Sequence, residues 1–289
     1  MKLRLALFAL VTVLLLPLVP LGAARQRPLR VVTTFSTIGS LVRAVAGSRA
    51  TVTDLVPIGA SPEDYQPTPA DIRTLHDADI LFENGAGIET WLQRTIENAR
   101  NSTMRIVVLS DGLPVKNGNP HLWMDPVLAQ RYVDKIAKAL VAADSQGRGY
   151  YERRARSFKG QLASLQREIA HQIATVPPGH RTMIVFHNAW QYYNDRFGLQ
   201  TLGVVELSPG QEPTPKYIAE LVRLAKQHHV RAVFAEPEYS PKLVQALAQS
   251  AGITTIENLY DDSLATSPDV HDYPSMLRYD TRTIVRALR

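Results

Sequence analysis

The segment YYERRARSFKGQLASLQREIAHQIATV, residues 150–176, lies near the middle of the 289-residue chain and divides it into two halves. Its apolar side chains recur every three or four residues, which places them along one face of an α-helix. They are Tyr151, Ala155, Phe158, Leu162, Leu165, Ile169 and Ile173. Most other positions are polar or charged, and Pro177-Pro178-Gly179 ends the pattern. We therefore predict one helix over residues 149–176, which at 1.5 Å per residue spans about 40 Å.

The parts of the chain before and after this helix repeat one order of elements. In the first half, helical patterns separate four runs that predict strands, namely LRVVTTF, TVTDLVPIG, DILFENG and RIVVLS. The second half has four more, namely RTMIVF, TLGVVEL, VRAVFAE and ITTIENLY, followed by a helical pattern, PSMLRYDTRTIVRAL. A capping residue followed by proline predicts helix starts at Thr68-Pro69, Asp125-Pro126, Thr214-Pro215 and Ser240-Pro241.

Two short motifs occur at the same step of both halves. QPTPADI at residues 66–72 and EPTPKYI at residues 212–218 each follow the second strand and open the next helix. Because strands separated by helices form parallel sheets, we predict an α/β fold of two (β/α)4 lobes joined by one long rigid linker helix. The predicted units are an N-terminal lobe (25–148), the linker helix (149–176) and a C-terminal lobe (177–289). Ligands bind beyond the carboxyl ends of parallel strands, so we expect a site in the cleft between the lobes.

The N-terminal residues have the composition of a signal peptide. MKLRLALFALVTVLLLPLVPLGAARQ carries Lys2 and Arg4, then a leucine-rich run, then Gly22-Ala23-Ala24. We predict a signal peptide over residues 1–24, cleaved after Ala24. The alternative is an uncleaved anchor, because the uncharged run is nearly long enough to span a bilayer. No later part of the sequence is apolar for that length, so we expect an exported protein.

The amino-acid composition limits the cellular locations and the binding partners that we expect. The chain has no cysteine, which excludes disulfides, thiolate metal ligands and a lipid-modified cysteine. Export without a lipid anchor predicts the periplasm. Loss of residues 1–24 removes two of the 32 basic residues, and 30 remain against 27 acidic ones, a net charge of +3. This small excess does not predict nucleic-acid binding. We expect a monomer.

Four side chains able to bind a metal follow predicted strands. Glu63 and His121 do so in the first half, and His187 and Asp262 in the second. Two neutral imidazoles and two carboxylates suit a divalent first-row ion such as Zn²⁺ or Mn²⁺. A single histidine after a strand is more commonly a cap or a surface residue. The placement of two candidates in each half nevertheless favours a shared metal site.

Other ionisable residues are weaker candidates for metal ligands. The remaining histidines lie in predicted helices or at loop ends, where we expect solvated or capping side chains; they are His76, His171, His180, His228, His229 and His271. Glu206 and Glu236 also end predicted strands. Either could accept a hydrogen bond from a ligand histidine and fix its tautomer.

Six motifs together resemble the metal-specific solute-binding proteins of bacterial ABC importers. They are GASPEDYQPTPADI, NPHLWMDP, FHNAWQYYNDRFGL, EPTPKYIAELV, FAEPEYSPKL and LYDDSLA, and they span nearly all of the chain after the signal peptide. The resemblance implies two (β/α)4 lobes bridged by a rigid helix, with zinc or manganese held between them by one ligand from each of four loops. It places the second ligand at His121, the third at His187 and the fourth at Asp262 rather than Asp261.

The first ligand position departs from the family pattern. Family members usually carry histidine there, and this chain has Glu63. A glutamate can ligate these ions, so the set becomes Glu63, His121, His187 and Asp262; alternatively Glu63 misses the metal and a water completes three protein ligands. The loop before the second ligand, LPVKNGNP, is short and lacks the histidine-rich insertion found in some zinc members.

The resemblance implies a receptor that captures Zn²⁺ or Mn²⁺ and delivers it to the membrane permease of an ABC importer, without chemical turnover. The alternative is a zinc-dependent hydrolase, because two histidines and a carboxylate with one open position are a common catalytic zinc arrangement. The order of the motifs favours the receptor, and the sequence suits both metals.

Overall fold

The computed structural model describes residues 27–208 and 210–289. The predicted signal peptide and its cleavage site lie outside these residues. Among the described helices, none is both long enough and apolar enough to span a bilayer.

The N-terminal lobe contains a parallel four-stranded sheet in the order β2-β1-β3-β4. Its strands are β1 Leu29–Thr33, β2 Ala50–Asp54, β3 Ile80–Glu83 and β4 Arg105–Val108. The associated helices are α1 Ser36–Ala46, α2 Pro69–His76, α3 Leu92–Ala99 and α4 Pro126–Ala143. This is the predicted order of elements, and the prediction of a parallel α/β lobe is confirmed.

The C-terminal lobe repeats this arrangement, with the parallel strand order β6-β5-β7-β8. Its strands are β5 Thr182–Val185, β6 Gln200–Val204, β7 Ala232–Phe234 and β8 Thr254–Ile256. Its helices are α6 Gln191–Phe197, α7 Pro215–Gln227, α8 Lys242–Ala251 and α9 Tyr273–Leu288. The two sheets therefore share one topology, as the repeated sequence pattern predicts.

Helix α5, Arg148–Ala174, connects the two lobes. Its buried residues are the seven apolar residues of the predicted stripe and no others. This stripe packs into a hydrophobic core that contains residues of both lobes. Helix α9 begins against lobe one, where the Tyr273 backbone N–H donates to Ser40 Oγ at 2.9 Å, and then packs along α5. The domain boundaries at residues 148 and 176 stay a prediction.

Several elements are shorter than the patterns predict. The run TVTDLVPIG forms strand β2 only as far as Asp54, and Leu55 and Val56 are buried in the loop that follows. Apolar composition does not distinguish a buried loop from a strand. The predicted cap at Ser240 is wrong, because α8 begins at Lys242 and no side chain caps it. The caps Thr68, Asp125 and Thr214 are confirmed, each side chain accepting a backbone N–H.

Candidate metal centre

The structure places the four predicted ligands on loops at the carboxyl ends of parallel strands. Glu63 lies on the loop after β2, and His121 lies after β4, directly before a short 3-10 turn. His187 follows β5 by two residues, and Asp262 lies on the loop between β8 and α9. Because both sheets direct these ends towards the cleft, two side chains from each lobe meet there.

The donor atoms of these side chains converge on one point. The Nε2 atoms of His121 and His187 are 3.1 Å apart, and their ring centroids are 5.0 Å apart. His121 Nε2 lies 3.4 Å from Asp262 Oδ1 and 3.8 Å from Glu63 Oε1. His187 Nε2 lies 3.8 Å from Asp262 Oδ2. Ligand atoms that share one ion at bond lengths of roughly 2 Å are themselves roughly 3–4 Å apart, so the spacing fits a single first-row ion.

Asp262 has unsatisfied oxygens at the centre of this cluster. The residue is 1% exposed, and neither carboxylate oxygen has a hydrogen-bond partner among the described residues. Burial acts to raise the pKa of Asp262, but the neighbouring His121 and His187 outweigh burial and lower it. A buried carboxylate without donors is costly unless a cation neutralises it. A metal ion would supply that cation.

Glu236 fixes the orientation of His187. Its Oε2 lies 2.5 Å from His187 Nδ1, so Nδ1 carries the proton and Nε2 faces the cleft. Burial acts to lower the pKa of His187, yet the charges of Glu236 and Asp261 outweigh it and raise that pKa well above the usual value. The sequence predicts that Glu206 or Glu236 accepts a hydrogen bond from a candidate ligand histidine, and Glu236 does so. Glu206 makes no hydrogen bond to either histidine within the described chain.

Asn119 plays the corresponding role for His121, and sequence reasoning missed it. Its Oδ1 accepts from His121 Nδ1 at 2.9 Å and from the His121 backbone N–H at 3.0 Å. Its Nδ2 donates to the carbonyl of Asn188, which follows His187, at 2.6 Å. Asn119 therefore links the loops of both histidines. The signal lay in the motif NPHLWMDP, where an amide precedes the histidine by two positions.

The structure also separates the two adjacent aspartates. Asp261 Oδ1 accepts the backbone N–H of Asp262 at 2.6 Å. The Asp261 carbonyl accepts from Trp123 Nε1 at 3.0 Å. One Asp261 carboxylate oxygen lies within 4.8 Å of a ring nitrogen of His187 and of an oxygen of Glu236, and these three side chains form a second group that could hold a metal ion. Asp262 is the aspartate whose oxygens lie within 3.8 Å of the Nε2 atoms of both histidines.

Polar contacts between the lobes surround the cluster. The guanidinium of Arg196 in lobe two binds both carboxylate oxygens of Asp125 at 2.6–3.0 Å. Tyr192 OH accepts from the Lys116 backbone N–H at 2.8 Å and donates to the Asn119 carbonyl at 2.9 Å. These contacts hold the lobes together with the four candidate ligands buried or nearly buried between them.

Two like lobes around one ion-sized site define the class of solute-binding receptors for metal ions. The sequence matches the family described as "ZnuA: Zinc-uptake complex component A periplasmic" over residues 31–287. The chain therefore belongs to the ZnuA family.

Individual relatives agree with this assignment. "Manganese-binding lipoprotein MntA" of Halalkalibacterium halodurans is 32% identical over 267 residues, covering 90% of this chain and 88% of the relative. "Manganese ABC transporter substrate-binding lipoprotein PsaA" of Streptococcus pneumoniae is 27% identical, covering 90% and 89%.

Solved structures give the same result. The Mn-bound periplasmic metal-binding protein of Candidatus Liberibacter asiaticus has a TM-score of 0.80 at 26% identity, covering 90% of this chain and 99% of that one. A crystal structure of ZnuA has a TM-score of 0.82 at 26% identity, covering 91% of this chain and all of that one. The family is one of transporter substrate-binding proteins, so the hydrolase alternative is not supported and the protein is not an enzyme.

Proposed function

We propose that this protein captures one Zn²⁺ or Mn²⁺ ion with Glu63, His121, His187 and Asp262 and presents it to the permease of an ABC importer. The observation that carries the proposal is the convergence of four donor side chains, in which His121 Nε2 lies 3.1–3.8 Å from an atom of each of the other three. The carboxylate of Asp262 has no hydrogen-bond partner among the described residues. The ion is the transported substrate, and the protein does not change it chemically.

The proposed donor set bears on whether this protein binds zinc or manganese. Imidazole nitrogen suits Zn²⁺, whereas carboxylate oxygen suits Mn²⁺. Two of each, with Glu63 in place of a third histidine, give a set more acceptable to manganese than a histidine-rich one. The family is named for zinc and the relatives for manganese, so both ions are candidates for this protein.

The proposed role as a metal receptor also bears on the cellular location and the oligomeric state of the protein. We place the protein in the periplasm, released by cleavage after Ala24, because the sequence contains no cysteine for lipid attachment although several relatives are named lipoproteins. A receptor that binds one ion between its own two lobes is complete as a monomer, and neither its charge nor its site suits a nucleic acid.

Metal content and calorimetry test the ligand set. Protein purified without added metal, analysed for elements and then titrated with Zn²⁺ or Mn²⁺ alone, is expected to bind one ion per chain. Asp262→Asn removes the buried charge, and His187→Ala removes a nitrogen ligand, so each should weaken binding by at least about 100-fold.

His171→Gln is the matched control, because His171 is exposed on α5 outside the cluster. Its affinity should equal that of the native protein. Unchanged affinity in both ligand variants would contradict the proposed site.

A further inference from the structure

The loop that carries Glu63 belongs to lobe one but is held by hydroxyl groups of lobe two. The Gly59 backbone N–H donates to Ser263 Oγ at 2.8 Å, and Ser263 is adjacent to Asp262. Tyr239 OH donates to Ser61 Oγ at 3.2 Å. The same Ser61 oxygen accepts the backbone N–H of Glu63 at 3.1 Å. A chain of two hydrogen bonds therefore runs from lobe two to the backbone of Glu63.

Tyr239 is itself fixed next to the metal cluster. Its ring stacks on Phe186 with the centroids 4.5 Å apart and the planes at 25°, and Phe186 directly precedes His187. Its ring centroid lies 5.8 Å from that of His187. Burial raises the pKa of Tyr239, and so does the charge of Asp262. The hydroxyl therefore keeps its proton and acts as a donor to Ser61.

Glu63 needs such support more than the other three ligands do. Its side chain is 13% exposed, against 3% for His121 and 2% for Asp262. Both histidines have a partner on the second ring nitrogen, whereas no hydrogen bond to the Glu63 carboxylate occurs among the described residues. Trp91 Nε1 of lobe one donates to the carbonyl of Pro62 at 2.8 Å. The backbone before Glu63 is thus held from both lobes, and this backbone sets the position of the carboxylate.

We propose that Tyr239 is a positioning residue for Glu63, acting through Ser61, so that Glu63 completes the metal site only when lobe two is closed onto its loop. The proposal rests on the ligand set given above. It gives a fixed backbone to Glu63, whose carboxylate has no hydrogen-bond partner among the described residues. It also makes the contribution of Glu63 dependent on lobe closure, whereas the His121 ring is oriented by Asn119 of its own loop.

A double-mutant cycle tests this role. Tyr239→Phe keeps the stacked ring and removes only the donor, and loss of one neutral hydrogen bond corresponds to roughly a two- to tenfold loss of affinity for Zn²⁺ or Mn²⁺. In a Glu63→Gln background the same substitution should change affinity by less than about twofold, because its target is gone. Ser61→Ala removes the acceptor and should reproduce both results.

Spectroscopy supplies a readout that a general structural role would not move. Bound Co²⁺ changes its visible absorption with the number and type of ligands, so Tyr239→Phe and Glu63→Gln should alter the spectrum in the same direction. Tyr217→Phe is the matched control, since it removes a tyrosine hydroxyl that donates to the Val204 carbonyl at 2.8 Å within lobe two. This control should leave affinity and spectrum unchanged.

The outcomes separate the positioning role from the ligand set. Equal losses from Tyr239→Phe in both backgrounds would mean that Tyr239 stabilises the lobe rather than Glu63, and would overturn the proposal. No loss from Tyr239→Phe while Glu63→Gln weakens binding would overturn it and leave the ligand set intact. No loss from Glu63→Gln itself would remove Glu63 from the ligand set and the proposal with it.

Discussion

At the scale of single residues, we infer that Glu63 sets the character of the proposed metal site. Its Oε1 lies 3.8 Å from the Nε2 of His121. Glu63→His would replace an oxygen donor with a nitrogen donor. We expect the ratio of zinc to manganese affinity to rise on the order of tenfold, because imidazole suits zinc better than manganese. Competition of the two ions against a fluorescent chelator measures the ratio, and an unchanged ratio would contradict ligation by residue 63.

The pair of His187 and Glu236 makes metal binding depend on pH. Glu236 contributes to raising the pKa of His187 well above its usual value, and a protonated Nε2 cannot bind metal. We expect the apparent affinity to fall as pH drops through this raised pKa, so that the loss begins above pH ~6.5, the ordinary histidine value. Asp262 has a lowered pKa and stays ionised over this range. Calorimetry between about pH 5.5 and pH 9 measures the effect.

The stability of the metal-free protein should have the opposite dependence. Because folding raises the pKa of His187, the protonated imidazole stabilises the fold. This stabilisation is complete below the unfolded pKa of about 6.5, and it is lost as pH rises through the folded pKa. Glu236→Gln removes the stabilising charge, so both pH dependences should shift to lower pH. Identical affinity profiles for the native protein and this variant would show that Glu236 does not control His187.

At the scale of elements, helix α5 owes its position to its buried stripe. Leu165 lies in the stripe and is fully buried, whereas Gln161 on the same helix is exposed. Leu165→Ala leaves a cavity in a core shared by both lobes. We expect a loss of about 2–5 kcal/mol in the free energy of unfolding. Gln161→Ala should change it by less than ~0.5 kcal/mol, and urea unfolding of both variants provides the measurement.

The helices that open at the repeated PTP motif also show how local sequence fixes an element. Thr68 accepts the backbone N–H of Asp71, and the Asp71 side chain accepts the backbone N–H of Thr68, which closes a capping box at the start of α2. Thr214 caps α7 with its hydroxyl in the same way, but Tyr217 occupies the position of Asp71. Both lobes therefore have a helix start capped by threonine. In lobe one, a carboxylate also accepts the backbone N–H of that threonine.

At the scale of the whole molecule, the metal should act as a clamp between the lobes. Two ligands come from each lobe, so an ion that binds only the folded state stabilises both lobes together. Free Zn²⁺ at 100 times its dissociation constant should add about 2.7 kcal/mol to the free energy of unfolding. Scanning calorimetry with and without the ion measures this gain in the free energy of unfolding. The same measurement on Asp262→Asn provides the comparison. A gain confined to one of two separate transitions would contradict ligation across the cleft.

The sequence by itself determined the elements and their order. The apolar stripe of α5, the caps at Thr68, Asp125 and Thr214, and the alternation of strands with helices all depend on residues a few positions apart. Such patterns express local backbone geometry, which acts before any tertiary contact forms. Since parallel sheets direct their carboxyl ends to one edge, the same patterns also indicated which loops carry the candidate ligands.

Only the tertiary structure decided how those loops meet. The bond from Tyr239 to Ser61 joins residues 178 positions apart, and the bond from Asn119 to Asn188 joins residues 69 positions apart. The choice of Glu236 over Glu206 as the partner of His187 likewise depends on which strand end faces the imidazole. No local pattern records these pairings, because each depends on how the two lobes pack against each other. The strand ends thus follow from sequence, and their convergence into one site follows from packing.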